Sequence, residues 1–273
     1  PATSSAPIHK LDAEQKSTAL YADTVIAASE DITVNLGARL QWVKLEAKDR
    51  FDPNAPGADP FSDGAAPRLS DSQRVHMLEA GIEKQLNPAT AVYAKFTRSA
   101  RVTTVDEMFE SRFFFDPDTF DFLGGTRIFS PLDPQTANSL DIGTRYDMGK
   151  LSLIANAYYM RLKNEIHFNP VTFETINLDP TKRYGAELSG AVDVTDRLRL
   201  QGNYTYRRSK FRDGPFSGNN VPLVPENTAS LTGTWQQSAN TDFTVAVNYM
   251  GSKYFDNDQA NNFGKKISSY TTV

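Results

Sequence analysis

The sequence contains no cysteine, no long apolar run and no surplus of positive charge, and each absence removes a class of function. Without a cysteine in 273 residues there is no disulfide, no thiolate metal site and no thiol nucleophile, although oxidising and reducing compartments both accept such a chain. No apolar stretch approaches ~18 residues and mean hydropathy is −0.47, which excludes a membrane-spanning helix. A transmembrane sheet stays open, because only alternate residues of its strands meet lipid and averages conceal it. The formal net charge is −4 and Lys and Arg nowhere cluster densely, so nucleic acid is not expected as a partner. Histidine is scarce too. His9, His76 and His167 stand far apart, and no Ser/His/Asp or paired-carboxylate constellation accompanies them, so neither catalysis nor a bound cofactor or metal is expected. The opening PATSSAPIHK lacks a charged segment followed by an apolar one; the chain starts after a removed signal or in mid-protein.

What the sequence does have is period-2 patterning. Residues 1–15 read as an irregular stretch, and from Lys16 onward strands alternate with turns. In Ile32–Ala47, Ile32, Val34, Leu36, Ala38, Leu40 and Trp42 share one face, while Thr33, Asn35, Gly37, Arg39 and Gln41 take the other. Eleven residues of strict alternation match the length of a tilted strand crossing a bilayer. Further strands are expected at Ser17–Ala27, Gln73–Leu86, Ala91–Ser99, Thr136–Asp147, Leu151–Ile166, Lys182–Val194, Leu198–Phe211, Asn227–Gln236, Asp242–Tyr254 and Ile267–Val273. Short turns such as Asn87-Pro88-Ala89-Thr90 follow the odd strands and long loops the even ones, with Ala100–Gln135 as the longest irregular stretch. That asymmetry, with Tyr204, Tyr206, Phe211, Tyr249, Tyr254 and Phe255 near strand ends, is the pattern of an all-β, antiparallel transmembrane barrel with aromatic girdles. Eleven strands cannot close an antiparallel barrel of this kind, so either the count is off by one or the chain is cut inside the sheet.

Several segments, taken in order, resemble the barrel of TonB-dependent outer-membrane receptors. They are Ala19–Trp42, with Gly37-Ala38-Arg39 on its second strand; Thr97–Phe109; Ser130–Asp147; Tyr158–Phe168; Arg183–Gly190; Thr195–Phe211; and Val221–Leu231. Ser99 and Val102 depart from the Phe and Pro usual in the second segment. The resemblance covers essentially the whole chain and implies the C-terminal half of a barrel of about 22 strands around a plug. It also implies outer-membrane localisation, a TonB complex acting through a plug segment the chain lacks, membrane lipid as surroundings, and uptake of a scarce nutrient. Val273 would fall in the third strand from the end.

The resemblance favours a ferric siderophore as cargo, with cobalamin or haem as alternatives; Ala100–Gln135 carries no histidine, which disfavours haem. Aromatic residues of the long loops, Phe113, Phe114, Phe115, Tyr254 and Phe255, are candidate ligand contacts, against the plainer reading of loop packing. Arg39, Arg145 and Arg199 are expected to line the lumen. Asp116-Pro117-Asp118 with Asp121, and Asp256-Asn257-Asp258 with Asn261 and Asn262, offer hard oxygen ligands but lack the spacing of a calcium loop, so solvated acidic loops are expected. A soluble all-β module such as a propeller is the rival architecture, although hairpin spacing is uneven and no blade motif recurs.

Overall fold

Eleven strands pair into one continuous antiparallel sheet, and two further hairpins leave it at the same rim. The computed structural model describes residues 10–52, 54–55, 66–115, 119, 122–169 and 174–273. The elements run β1 (Leu11–Ala27), β2 (Ile32–Asp49), β3 (Leu69–Asn87), β4 (Thr90–Arg101), α1 (Val105–Met108), β5 (Phe109–Phe115), β6 (Phe122–Phe129), β7 (Gln135–Met148) and β8 (Leu151–Lys163). Then come β9 (Glu165–Asn169), β10 (Glu174–Leu178), β11 (Thr181–Thr195), β12 (Leu198–Phe211), β13 (Asn227–Ser238), β14 (Thr241–Met250) and β15 (Tyr270–Thr272). The sheet order is β1-β2-β3-β4-β7-β8-β11-β12-β13-β14-β15; β5–β6 and β9–β10 form separate two-stranded sheets. A single eleven-stranded sheet overturns the propeller alternative, whose strands would divide into separate blades. Among the described residues β1 and β15 do not pair, so the sheet is open.

The short turns are closed by their own side chains. Ser29 Oγ donates to Asp31 at 2.6 Å, Ala89 N–H to Asn87 Oδ1 at 2.9 Å and Arg197 N–H to Thr195 Oγ1 at 3.2 Å. At Gly149 φ is +63°, a left-handed turn that favours glycine. Register shifts sit at Gln85/Asn87, Asp193/Thr195 and Gln236/Ser238, all at this short-turn rim, where bulges add twist.

Several expected boundaries are corrected. β1 begins at Leu11, inside the stretch read as irregular, because Leu11 to Lys16 pair with Asp49 to Lys44 on an unusually long β2. Ala100–Gln135 is not irregular: it holds α1 and the β5–β6 hairpin. β8 stops at Lys163, where Asn164 takes φ +56° and starts the separate β9–β10 hairpin. β14 ends at Met250 and not Tyr254, and the last strand begins at Tyr270, preceded by an isolated Lys253↔Ile267 bridge.

Directly paired residues point to the same side of a sheet, so the register assigns the faces. One row reads Leu36↔Ala80↔Phe96↔Leu140↔Tyr159↔Tyr184, and the next Val34↔Ile82↔Ala94↔Ile142↔Ala157↔Ala186. Leu188, Leu231, Trp235, Phe243 and Val245 continue this apolar face, each about half exposed. From Ile32 to Trp42 the band is eleven positions long, about 25 Å tall at a barrel's tilt. The exposed area is 16866 Å², against about 11,800 Å² for a compact soluble chain of this mass. The excess is the area of an open sheet that, among the described residues, has no second protein layer over its apolar face and none over most of its polar face.

The small core lies elsewhere. Val43, Leu45 and Ala47 of β2, Leu69 of β3, and Val105 and Met108 of α1 cluster at the long-loop rim, with Val102 and Phe129 packed beside them. Val43, Leu45 and Ala47 are odd positions, on the polar side of the sheet. Past Trp42, therefore, the burial changes face.

Candidate functional site

The polar face carries charges that are largely matched by neighbours. Lys95 Nζ lies 2.9 Å from Glu79, Arg199 is 2.9 Å from Asp193, and Arg145 is paired with Glu83 while lying 5.7 Å from the ring centroid of Tyr93. Arg39 Nε donates to Gln41 at 3.0 Å, and Gln41 to Ser17 at 2.9 Å. Asp141 accepts from Ser139 at 2.8 Å and Asn156 at 3.2 Å. Arg39, Arg145 and Arg199 thus share the polar face, but β2, β7 and β12 are three places apart in the sheet, or about 14 Å per step between them. They form no common anion pocket.

At the long-loop rim the connections fold over this face. Gln73 of β3 is buried and donates through Nε2 to Thr103 Oγ1 at 3.0 Å, to the Leu132 carbonyl at 2.9 Å and to Asp71 at 2.9 Å. It ties both ends of the 102–134 excursion to the sheet. Glu107 closes the first turn of α1, accepting from Thr104 N–H at 3.0 Å and Thr104 Oγ1 at 3.1 Å, and pairs with Arg101. Burial alone would raise its pKa; the Thr104 hydrogen bonds and Arg101 outweigh it and hold Glu107 below the usual carboxylate range. The Thr-x-x-Glu spacing was a readable capping signal, missed in the sequence because four helical residues show no periodicity.

The other loops are joined to one another. Asn177 of β10 accepts from Asp133 N–H at 2.8 Å and donates to the Asp133 carbonyl at 3.0 Å. His167 Nε2 lies 3.6 Å from Asp256, bringing β9 to the 251–269 loop. Asn220 N–H donates to Asn261 Oδ1 at 2.7 Å, Asn261 returns a 3.0 Å bond to the Asn220 carbonyl, and Leu223 N–H reaches the Tyr254 carbonyl at 3.1 Å.

The predicted ligand contacts sit on this rim. Tyr254 has Lys266 Nζ 4.2 Å from its ring centroid, and Phe255 is 40% exposed. The backbone of Phe113, Phe114 and Phe115 lies in β5; their side chains are outside the described residues, as are Asp116-Pro117-Asp118, Asp121 and His9. The expectation of a solvated acidic loop at Asp258 is corrected. Asp258 is 1% exposed, because its carboxylate turns inward to accept Asn262 N–H at 2.8 Å and shape the turn. Phe211 is corrected likewise. An odd position of β12, it is buried on the polar side against Phe216, ring centroids 6.0 Å apart, and does not sit in a girdle.

With this geometry in hand, comparison with known proteins is specific. Residues 4–273 match the family model described as TonB dependent receptor-like, beta-barrel. A probable TonB-dependent siderophore receptor, PiuA, of Acinetobacter baumannii is 24% identical over 241 residues, 82% of this chain and 30% of that protein. A ferrioxamine receptor of Yersinia enterocolitica is 29% identical over 145 residues, 51% of this chain and 20% of its own. Among solved structures, the A. baumannii siderophore receptor PiuA superposes with a TM-score of 0.70 at 20% identity, covering 96% of this chain and 36% of that one. The Escherichia coli K12 ferric-catecholate import receptor Fiu does so with 0.68 at 18%, covering 96% and 38%. The chain therefore spans well under half the length of the relatives it matches.

Proposed function

Because the chain belongs to the TonB-dependent receptor β-barrel family, we propose that it forms part of an outer-membrane receptor that takes up a ferric siderophore. Its eleven antiparallel strands are a portion of such a barrel, placed in the outer membrane. The observation that carries the reading is the two-faced sheet: an apolar band about 25 Å tall on one side, matched charges on the other, and long loops gathered at a single rim.

In the whole receptor the apolar face meets lipid and the polar face lines the lumen, with Arg39, Arg145 and Arg199 among the lining residues. A plug fills that lumen, and a TonB complex acts on it to release cargo inward. Matched pairs such as Lys95–Glu79 present hydrogen-bonding groups with little net field, which suits contact with a movable protein plug better than capture of one anion. The rim admits the cargo. Tyr254 with Lys266 over its ring, and exposed Phe255, offer aromatic surface next to a cation, complementary to a flat, negatively charged ferric chelate. The relatives named for ferrioxamine and for siderophores support that class of cargo.

The test is uptake by cells lacking the full-length gene. Loss of radiolabelled iron delivered as one class of chelate, restored by the gene, is the expected result. Unchanged uptake of hydroxamate and catecholate chelates would overturn the cargo class, and loss of cobalamin or haem uptake would replace it. Recovery of the protein with cytosol would overturn the reading as a whole.

A further inference from the structure

One buried side chain at the long-loop rim is surrounded by more oxygens than its hydrogens can serve. Gln73 of β3 is 7% exposed, and its amide nitrogen has Asp71 Oδ2 at 2.9 Å, the Leu132 carbonyl at 2.9 Å and Thr103 Oγ1 at 3.0 Å around it. An amide nitrogen carries only two hydrogens, so the three oxygens share them. Thr103 can help the Leu132 carbonyl only over 3.3 Å. Meanwhile Gln73 Oε1 is buried and, among the described residues, accepts from no donor. A buried acceptor left alone is rare in a folded protein and calls for a physical reason.

The same distances suit a cation. Amide oxygen and nitrogen are nearly equal in size, so a half turn of the amide exchanges them without repacking. Oε1 then takes the place of Nε2, 2.9 to 3.0 Å from Asp71 Oδ2, the Leu132 carbonyl and Thr103 Oγ1, the last two being 3.3 Å apart. Oxygens bound at about 2.4 Å to one calcium ion lie about 3 Å from one another. A carboxylate, an amide, a hydroxyl and a backbone carbonyl are the hard donors that calcium takes. Beside them a cavity of about 360 Å³, lined also by Ser72, Arg74 and Asp133, leaves room for the waters that complete such a shell. Asp71 and Asp133 have no cationic partner among the described residues, so two carboxylates stand against the one guanidinium of Arg74.

We propose that Asp71, Gln73, Thr103 and the Leu132 carbonyl bind a calcium ion that fastens the 102–134 excursion to β3. Without the ion the Gln73 amide donates to the three oxygens; with it the amide turns and Oε1 joins them. Calcium fits better than magnesium, because ligands drawn from three separate segments make an irregular shell, which the smaller and strictly octahedral ion holds poorly. β3 leaves the apolar band at Arg74, the partner of Trp42, so Asp71 and Gln73 stand beyond it at the long-loop rim. There the external medium sets the calcium level, and an affinity of about 0.1–1 mM suffices for a response. The proposal rests on the outer-membrane placement and is independent of which cargo is carried.

The experiment uses the full-length receptor in detergent, stripped with a chelator and titrated with calcium chloride. Equilibrium dialysis with radioactive calcium measures binding, and limited proteolysis reports on the excursion. The parent is expected to bind one calcium ion more than Asp71→Asn, and calcium should slow cleavage within 102–134 about fivefold in the parent alone. Gln73→Glu separates ion binding from plain hydrogen bonding. It removes both amide hydrogens, so a hydrogen-bonded tie would open with or without calcium. A calcium site should instead bind about tenfold more tightly and protect the excursion only when calcium is present. Equal calcium binding by the parent and Asp71→Asn, or an excursion in Gln73→Glu that stays open in calcium, would overturn the proposal. Equal protection by magnesium chloride would overturn the choice of ion. Should Asp71→Asn fail to fold, cleavage of the parent and Gln73→Glu with and without chelator decides, and rates that ignore calcium in both overturn the proposal. Uptake of iron chelates in the same strains reports separately on the receptor reading.

Discussion

The guanidinium of Arg74 lies 5.9 Å from the ring centroid of Trp42, its cross-strand partner, and the apolar face ends there. Beyond Trp42 the same face of β2 continues with Lys44, Glu46 and Lys48, while Val43, Leu45 and Ala47 on the opposite face become buried. At the other edge of the band Trp235 stacks on Phe243, centroids 5.9 Å apart. Two aromatic contacts at opposite edges thus bracket the surface assigned to lipid.

A charge placed inside that bracket should cost far more than one on the reverse face. Leu36→Arg, mid-band and 44% exposed, is expected to destabilise the full-length receptor in lipid vesicles by about 2–4 kcal/mol. Gln41→Arg, on the polar face, should cost well under half of that. Denaturant unfolding in vesicles measures both, and equal losses would contradict the assignment of faces.

Close strand approach gives a second contrast. A Cβ at Gly185 would fall onto the Tyr206 carbonyl and lie 2.9 Å from Arg207 Cα, whereas at Gly37 the nearest atom is Glu79 Cβ at 3.6 Å. Gly185→Ala must move backbone and is expected to cost about 1–3 kcal/mol. Gly37→Ala should be nearly neutral. Folding yield and unfolding midpoint distinguish them.

Gln73→Ala removes the three hydrogen bonds that fix the 102–134 excursion to β3. A local loss of about 1–3 kcal/mol is expected, since the Thr103 hydroxyl oxygen stays buried without its donor and the Leu132 carbonyl keeps only the longer 3.3 Å bond from Thr103. Limited proteolysis should cut the excursion faster while the barrel strands stay protected. Unchanged cleavage would show that the apolar cluster around Met108 suffices.

Acid should loosen the same region through Glu107. Its folded pKa is lowered, so its contribution is fully present above the ordinary carboxylate range and is lost as pH falls through the lowered value. A spin label at Asp106→Cys should be immobile at neutral pH and gain mobility as the carboxylate protonates. Glu107→Gln should show the acid behaviour at neutral pH.

The eleven sheet strands were legible because lipid on one side and water or protein on the other write period 2 into each of them. Ile32 to Trp42 is the clearest case. The β5–β6 hairpin was not, since Phe113-Phe114-Phe115 and Gly124-Gly125 alternate with nothing. The change of burial side after Trp42 was visible as letters, Lys44, Glu46 and Lys48 between Val43, Leu45 and Ala47. Its meaning needed α1, which four residues cannot announce. Arg98, Arg161, Lys182 and Lys210 were not legible as one row for another reason: they come to lie along one line only through the register of five strands, β4, β7, β8, β11 and β12. Tyr254 and Phe255 lie in a connection at the long-loop rim, but Lys266 over Tyr254 depends on a loop fold that no local pattern specifies.

The measurement that bears most directly on the two-faced membrane sheet is quenching by nitroxide-labelled lipid of a fluorophore placed in turn at positions 229–235 of β13, in the full-length receptor. The structure predicts strong quenching at Ala229, Leu231, Gly233 and Trp235 and little at Ser230, Thr232 and Thr234. Quenching without that two-residue period, or with its phase reversed, would contradict the account.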